Sequence, residues 1–557
     1  MDDIPENRVD ALTTGSHASM TPVPLAFIVV HDATGIQRWQ WNCVNVLLRS
    51  NEATLMAAAV NLTQPEHEKR SFWQRLHDRA VSAGLDAFDI VEPTDHVPAL
   101  PRLDALDLGS MGKIDFILDF STQRIVSPLL RPRFGIWQVR LGDAADGELP
   151  TSRETARSAH VITVTVETTA STDDHQRVLH YATIKTRRSQ RATLAAVLDA
   201  ASATCLGVCR RLQSGQQPLS ADPVRVTPDV PAPGPLRIIA GQLVRSARRA
   251  IEVMLFKDIW SVGVIHGAFS DLLHADVLPM PSWRKVPDDG TFHADPFPLT
   301  VGGDDYVLFE KYDPTQKRGL IAAARLDEWI LPAAMDERTA IDLGCHMSYP
   351  AVFTYEGQMY CAPETHVLGG LRILKMGSDP WHWTPAAHIL PDIPLIDATL
   401  MEHEGLWWLM ATLSGSASDT DLHVWHSPSP FGPWAPHRLN PVKSDVRSSR
   451  PAGNLIRLND RLYRPAQDCA KGYGMAVVMN EIIQLDQDRF IERAINRFEP
   501  AQTWQYPNGL HTFNMCADGV VIDAKRRAVR GLSPLKNLLS RVTVPGRRLS
   551  AGALSNS

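Results

Sequence analysis

Along the second half of the chain, short apolar runs alternate with polar turns at a nearly constant beat. HADPFPLTVGGDDYVLFEKY from His293, MSYPAVFTYEGQMYCAPET from Met347, LIDATLMEHEGLWWLMAT from Leu395 and SSRPAGNLIRLNDRLYRPAQD from Ser448 share one plan. Each opens with a polar-then-apolar run, turns at Gly or Asn-Asp, and continues through an aromatic residue into a second short strand. Asp295, Tyr349, Asp397 and Arg450 fall at steps of 54, 48 and 53 residues, and Tyr306, Tyr360, Trp408 and Tyr463 keep the same beat. GLHTFNMCADGVVID from Gly509 supplies a fifth unit. A period near fifty with several strands per unit predicts an all-β five-bladed propeller, placed at 258–526.

The first half has a different pattern. LAFIVVHD from Leu25, ATLMAAAV from Ala53, KIDFILDF from Lys113, GIWQVRLGD from Gly135 and HVITVTVETT from His160 read as strands, with AFDIVE from Ala87 as a further candidate. Between them lie helical stretches at 35–50 and 66–83, and one long helix with apolar spacing of three and four covers 188–212. Strands alternating with helices predict an α/β domain with a mostly parallel sheet, placed at 23–215. The polar lead 1–22 is expected to be disordered. Residues 216–257 combine a Pro-rich linker with a helix from about Leu236 to Phe256, whose Arg245, Arg248 and Arg249 mark a solvated or docking face. The basic, Ser/Gly-rich tail 527–557 is expected to be loosely ordered.

Composition excludes several classes. The apolar fraction of 44% and charged fraction of 21% are those of a globular protein, and the formal charge of −6 is small for 557 residues. Neither nucleic acid nor an anionic membrane is therefore expected as the main partner. No apolar run suggests a transmembrane segment, and the acidic start does not resemble a signal peptide, so a cytoplasmic location is expected. The seven cysteines are scattered, with only Cys205 and Cys209 close together and spaced for one helix face. No metal and no cofactor is expected from that pattern.

In a propeller the innermost strand of every blade lines the axis, so equivalent polar residues converge on one funnel. The repeat places Asp295, Ser348 or Tyr349, Asp397, Arg450 and His511 there. A second ring, Glu310, Glu364, Thr412 and Gln467, follows the aromatics by four residues. Carboxylates, an arginine and a histidine brought together from distant positions form a candidate pocket for a polar ligand. Arg450 has two readings: it holds an anionic group of the ligand, or it pairs with Asp397 or Asp295 and closes the axis. His293, His346 and His511 read either as site residues or as blade packing.

HADP at His293, IDAT at Ile396 and SPSPFGPW from Ser427 resemble motifs of the five-bladed propeller glycosidases. That resemblance implies Asp295 as base or nucleophile and Asp397 as the carboxylate that tunes the acid. Glycoside hydrolysis needs two carboxyls, and the usual acid position offers Arg450, Gln467 and Asp468, with no Glu. Glu364 is then the expected acid. HADPFPL, SYPAVF with APET, DATLMEHEGLWWLMAT, RPAGN, LYRPAQDCAKGYG with NEIIQL, and GLHTFN are similar to the N-terminal domain of the glucosamine inositolphosphorylceramide transferases. His293, Tyr349, Arg450, Gln467, Asp468 and His511 complete the candidate substrate-binding set.

DFILDFSTQRIVSPLLRPRFGIWQVRLGD, from Asp115 to Asp143, resembles the centre of the formyltransferase family, which carries Asn-x-His on the following strand and an Asp further on. Here those positions fall on Gln138, Arg140 and Asp173. An arginine stays protonated and cannot be the general base, so a formyltransferase-like fold with lost chemistry is expected. Three functions follow. The first is a carbohydrate-active enzyme transferring or hydrolysing a glycosyl group on a sugar or glycoconjugate in surface-polysaccharide metabolism. The second is a non-catalytic glycan-binding or scaffold protein, and the third a sugar N-formyltransferase with atypical catalytic residues.

Overall fold

A computed structural model describes residues 23–61, 72–91, 113–122, 125, 131–144, 148–170, 173–216, 233–286, 289–326 and 337–529. The lead 1–22, most of the Pro-rich linker and nearly all of the basic tail lie outside them.

The N-terminal unit is a six-stranded sheet in the order Ala53–Asn61, Leu25–Asp32, Phe116–Asp119, Ile136–Leu141, Val161–Ala170, Asp173–Lys185. The first four strands are parallel and the last two form an antiparallel hairpin. The expected strand at 87–92 is reduced to a short turn of helix, Asp86–Phe88, and the pair Ile90–Val91. Asp173–Lys185 was not anticipated, because its sequence carries six charged or histidine side chains among the apolar ones. Phe27, Phe116 and Trp137 stack face to face across three strands, with centroids 5.0 and 3.7 Å apart. Helices Arg38–Arg49 and Gln190–Gln213 cover that core with Val44, Leu47, Leu194, Val197 and Ala201. Among the described residues only Gln190–Gln213 is long and apolar enough to span a membrane, and more than half of its most apolar stretch is buried.

Five antiparallel sheets form the C-terminal half. Four follow the chain: Phe292–Val301 to Arg338–Ile341, Ser348–Tyr355 to Trp383–Ile389, Leu395–His403 to Ala435–Pro436, and Ile456–Leu458 to Phe490–Phe498. The fifth is assembled from both ends of the unit. Leu510–Cys516 and Gly519–Val529 pair with Phe256–His266, which in turn pairs with Ser282–Trp283. Eleven consecutive pairs, from Gly519 with His266 to Val529 with Phe256, close the ring. Closing the circle removes the exposed edges an open array would carry.

The turn residues act as the repeat requires. Gly302-Gly303, Glu356-Gly357, Glu404-Gly405 and Asn459-Asp460 all have both φ values positive. That is the two-residue hairpin geometry whose twist matches the flanking strands. The tryptophans pack between blades: Trp407 meets Phe353 and Tyr355, and Trp381 meets Tyr306.

The two units touch. Thr183 bridges to Asp445, Val446 N donates to Thr183 O at 2.9 Å, and Arg211 Nη2 reaches Val442 O at 2.8 Å. Arg210 Nη1 adds a bond to Asn440 O at 2.5 Å.

Candidate functional site at the propeller axis

The innermost strands of three blades carry the same irregularity. Pairing skips at Ala294/Phe297, Ser348/Ala351 and Ile396/Thr399. In each skip the first residue takes a left-handed backbone: Asp295 φ 50°, Tyr349 φ 43°, Asp397 φ 50°. A bulge of this kind re-aims a side chain. For residues other than glycine it costs about 1–3 kcal/mol each, a strain that clusters at functional sites. The second ring is equally regular, since Glu310 pairs with Ala294, Glu364 with Ser348 and Thr412 with Ile396. Asp523, paired with Thr512, is its fifth member.

Asp295 is 4% exposed and fully engaged. Its Oδ1 accepts from Thr512 Oγ1 at 3.0 Å and faces His511 Nε2 at 3.3 Å, and its Oδ2 accepts from Tyr349 N at 3.2 Å. His511 Nδ1 lies 2.7 Å from Asp523 Oδ2, and Asp523 also accepts from the backbone of Asp295, His511 and Thr512. The imidazole therefore lies between two carboxylates, under the Trp260 ring at 4.1 Å. Burial opposes its charge, but Asp523 and Asp295 raise its pKa above the ordinary histidine value. Burial pushes Asp295 up in turn, with His511 pulling the other way.

Asp295, His511 and Asp523 have ligand atoms close enough together to hold a metal ion. Both imidazole nitrogens already face carboxylate oxygens, however, so a cation would compete with the ion pairs the histidine makes.

A second cluster surrounds Asp397. Its Oδ2 accepts from Arg450 Nε at 2.6 Å and from Gln467 Nε2 at 2.8 Å. Arg450 also reaches Asp419 at 3.2 Å and lies over the Tyr473 ring at 4.9 Å. Burial raises Asp397 to about 8 against the opposing guanidinium. Glu364 Oε2 accepts from Asp397 N at 3.2 Å, and its Oε1 meets His366 Nδ1 at 2.7 Å. Although burial works against its charge, His366 and Arg450 hold Glu364 below the usual glutamate value. Glu310 has the opposite balance: burial, together with Asp295 and Glu364, pushes it well up.

Below these residues the axis is pinned shut. Tyr349 OH accepts from Gly453 N at 2.6 Å and lies 2.9 Å from Thr399 Oγ1, joining three blades. Asn514 links two more, donating to Pro296 O at 2.8 Å and accepting from Asn454 N at 2.7 Å.

Asp295, Tyr349, Glu364, Asp397, Arg450, Gln467 and His511 thus converge as the repeat predicts. Two expected binding residues do not. His293 alternates to the other side of its strand, against Phe309 and near Glu337, which also binds Arg284 and Lys311. Asp468, next to the axial Gln467, points away and pairs with Arg497 at 2.8 Å. Glu364 was expected as the proton donor, yet its neighbours favour the anion. Asp523, His366, Asp419 and Tyr473 enter the site without having been assigned to it, and Glu310, expected in the second ring but given no role, stands among them.

In the N-terminal unit, a cavity of about 450 Å³ opens beyond the carboxyl ends of the parallel strands, lined by Asp32, Asp119, Ser121, Gln138 and Arg140. Such a crevice is where open α/β sheets bind ligands. Gln138 donates to Asp119 at 3.2 Å, and Arg140 is paired with Glu167 at 2.9 Å. Asp173 begins the last strand, and its side chain lies outside the described residues.

The C-terminal half is a five-bladed propeller with a buried ring of acidic and basic groups at its axis. Residues 275–515 match the model of the family described as glucosamine inositolphosphorylceramide transferase 1, N-terminal. The glucosamine inositolphosphorylceramide transferase 1 of Oryza sativa subsp. japonica is 37% identical over 215 residues, which are 37% of this chain and 28% of the relative. That of Arabidopsis thaliana is 34% identical over 207 residues, 36% of this chain and 27% of the relative. The chain thus spans little more than a quarter of the curated relatives it matches. Solved structures with some likeness include a thermostable family-43 glycoside hydrolase (17% identity, TM-score 0.29, 38% of this chain and 77% of that one). A family 117 glycoside hydrolase from Zobellia galactanivorans has 14% identity and TM-score 0.31, over 48% of this chain and 90% of that one. The propeller assignment itself rests on the five sheets.

Proposed function

We propose that the propeller funnel binds a sugar or glycoconjugate and transfers or hydrolyses a glycosyl group in surface-polysaccharide metabolism. The observation that carries this reading is the set of three left-handed bulges that turn Asp295, Tyr349 and Asp397 onto one axis between two rings of ionisable groups. The name of the curated relatives, glucosamine inositolphosphorylceramide transferase 1, supports a sugar-bearing substrate. On this reading the chain works in the cytoplasm on an activated or lipid-linked sugar. Asp295 is the base or nucleophile, its basicity set by His511 and Asp523. The proton is held on Glu310 or Asp397, which with Asp295 are the carboxyls that burial pushes up, while Glu364 with His366 supplies fixed negative charge near a developing cationic centre. The N-terminal unit serves as a docking or ligand-binding partner without formyl transfer, since Arg140 is committed to Glu167.

One observation favours a second reading, a glycan-binding module without turnover: both oxygens of Asp295 are already occupied. The test is a mass-spectrometric screen of the wild-type protein and Asp295→Asn against mixed nucleotide sugars, amino sugars and oligosaccharides. Conversion by the wild type alone supports the enzyme. Retention of one sugar by both proteins, unconverted, replaces it with the binding module.

A further inference from the structure

The helix Pro235–Leu255 is amphipathic in the unexpected sense. At 100° per residue, Leu236, Ile239, Leu243, Val244, Ile251 and Met254 share one arc with three alanines between them. Each of the six is 41–82% exposed. The opposite, mixed face is the one turned to the protein: Ile238 is buried, Gly241 lies against Ser158, and Arg245 donates to the carbonyls of Glu154 and Thr155. A helix on a globular surface normally buries its apolar stripe. Here that stripe, about 27 Å long from Leu236 to Met254 at 1.5 Å per residue, faces outward.

The charge around the stripe identifies what covers it. Arg237, Arg249 and Lys257 are exposed on the helix and at its carboxyl end, as are Arg248 and Arg527, which share Glu252 as a partner, so the cations outnumber the acid. The helix runs straight into Phe256, which pairs with Val529. Beyond Val529 the chain continues for 28 residues with Arg530, Lys536, Arg541, Arg547 and Arg548 and no acidic residue. A second basic segment therefore starts at the helix end. The stripe is aliphatic, without the Trp and Tyr anchors that dominate protein–protein contacts. The small net charge of the whole chain conceals this clustering.

The helix also lies on the funnel side. The inner strand of its blade begins at Leu510, paired with Ala524, and the ribbon formed by 525–529 and 256–260 continues past that start. Val529 stands six residues beyond the axial Asp523, about 20 Å at 3.3 Å per residue.

We infer that Pro235–Leu255 lies in the plane of an anionic lipid surface, with its aliphatic stripe in the acyl boundary and its arginines at the headgroups. The funnel mouth then faces the bilayer. That orientation suits a lipid-linked substrate, a consequence that rests on the proposed function, whereas the anchoring itself does not.

The test is co-sedimentation of the full chain with vesicles of phosphatidylglycerol in phosphatidylcholine and with phosphatidylcholine alone. The wild type is expected to partition onto the anionic vesicles, and to do so less at high salt. The variant Leu243→Glu/Ile251→Glu keeps the wild-type melting temperature, because both side chains are exposed, and loses at least about tenfold in partitioning. Asp295→Asn binds vesicles like the wild type, whatever its activity. Absence of wild-type binding, or equal binding by the double variant, overturns the inference. A wild-type dimer that the double variant converts to monomer, with no vesicle binding by either, also overturns it and makes the stripe a protein interface.

Discussion

The pair Arg450–Asp397 offers the sharpest test of the axial electrostatics. Both side chains are nearly buried, at 12% and 4% exposed, and meet at 2.6 Å. With Asp397 raised to about 8, its carboxyl carries a proton through neutral pH and Arg450 donates to a neutral acid. Near pH 6 Arg450→Met then removes the buried bond to Asp397, a loss of about 1–3 kcal/mol, and the longer one to the more exposed Asp419, which adds little. Above the wild-type value the balance changes. The variant lacks the opposing cation, so its folded Asp397 titrates still higher and keeps a proton that the wild-type fold has released. Where the folded variant binds the extra proton, its stability relative to wild type falls by about 1.4 kcal/mol per pH unit as pH rises. From about pH 8 to about pH 9.5 the deficit grows by about 2 kcal/mol, towards the 3–5 kcal/mol typical of a buried charge left unpaired. Urea denaturation followed by tryptophan fluorescence at about pH 6 and about pH 9.5 measures it. Arg450→Met/Asp397→Asn should show no such growth. A full deficit already present at pH 6 would refute the reasoning, because it means the guanidinium, not burial, decides the protonation of Asp397.

Two further outcomes concern the frame around the site. Tyr349→Phe leaves the Gly453 N–H without the 2.6 Å acceptor that joins the second and fourth blades; a loss of about 1–3 kcal/mol and faster amide exchange at Gly453 are expected, and unchanged exchange would remove the hydroxyl from that role. Glu492 accepts from Arg464 at 2.7 and 2.8 Å and from Lys443 at 2.6 Å. Burial opposes its charge, but those cations hold its carboxyl at about 2. A depressed acid contributes stability that is present above the unfolded value of 4.5 and lost as pH falls towards 2, here about 3 kcal/mol. Glu492→Gln should flatten that acid limb in urea titrations, and parallel curves for the two proteins would contradict the assignment.

Much of the propeller was legible because its determinants are local. Paired left-handed turn residues, an aromatic one strand later and an alternating inner strand recur within about fifty residues, and each signal survives in sequence. The N-terminal strands were legible for the same reason where they are buried on both faces. Asp173–Lys185 is a hairpin strand of mixed polarity, so no apolar run announces it. Asp468 was misplaced by one residue of alternation: it adjoins the axial Gln467, and in a strand one step in sequence reverses the face. His293 stands two residues before Asp295, and the pairing skip between Ala294 and Phe297 turns Asp295 and not His293 to the axis. Only the bulges settle which of two neighbours turns inward, and a bulge is a property of pairing.

Asp523 shows most clearly where such reading stops. The rule that located Glu310, Glu364, Thr412 and Gln467 counts four residues on from an aromatic, and Asp523 obeys the same count from Gly519. No aromatic could stand there: a Cβ on Gly519 would lie 2.0 Å from the carbonyl of Ile265, and its φ is +155°. Ile265 belongs to the strand that enters from the start of the propeller to close the ring. The blade that breaks the sequence rule is therefore the one built from both chain ends, and closing it required the residue that hid the signal. The same junction brings Trp260 over His511 and carries the helix Pro235–Leu255 to the funnel side. Ring closure, axial chemistry and the proposed lipid-facing helix meet in one blade, so substitutions in 256–260 should perturb both the His511 environment and the helix, whereas equivalent changes in the outer strands of the other blades should leave both unaltered.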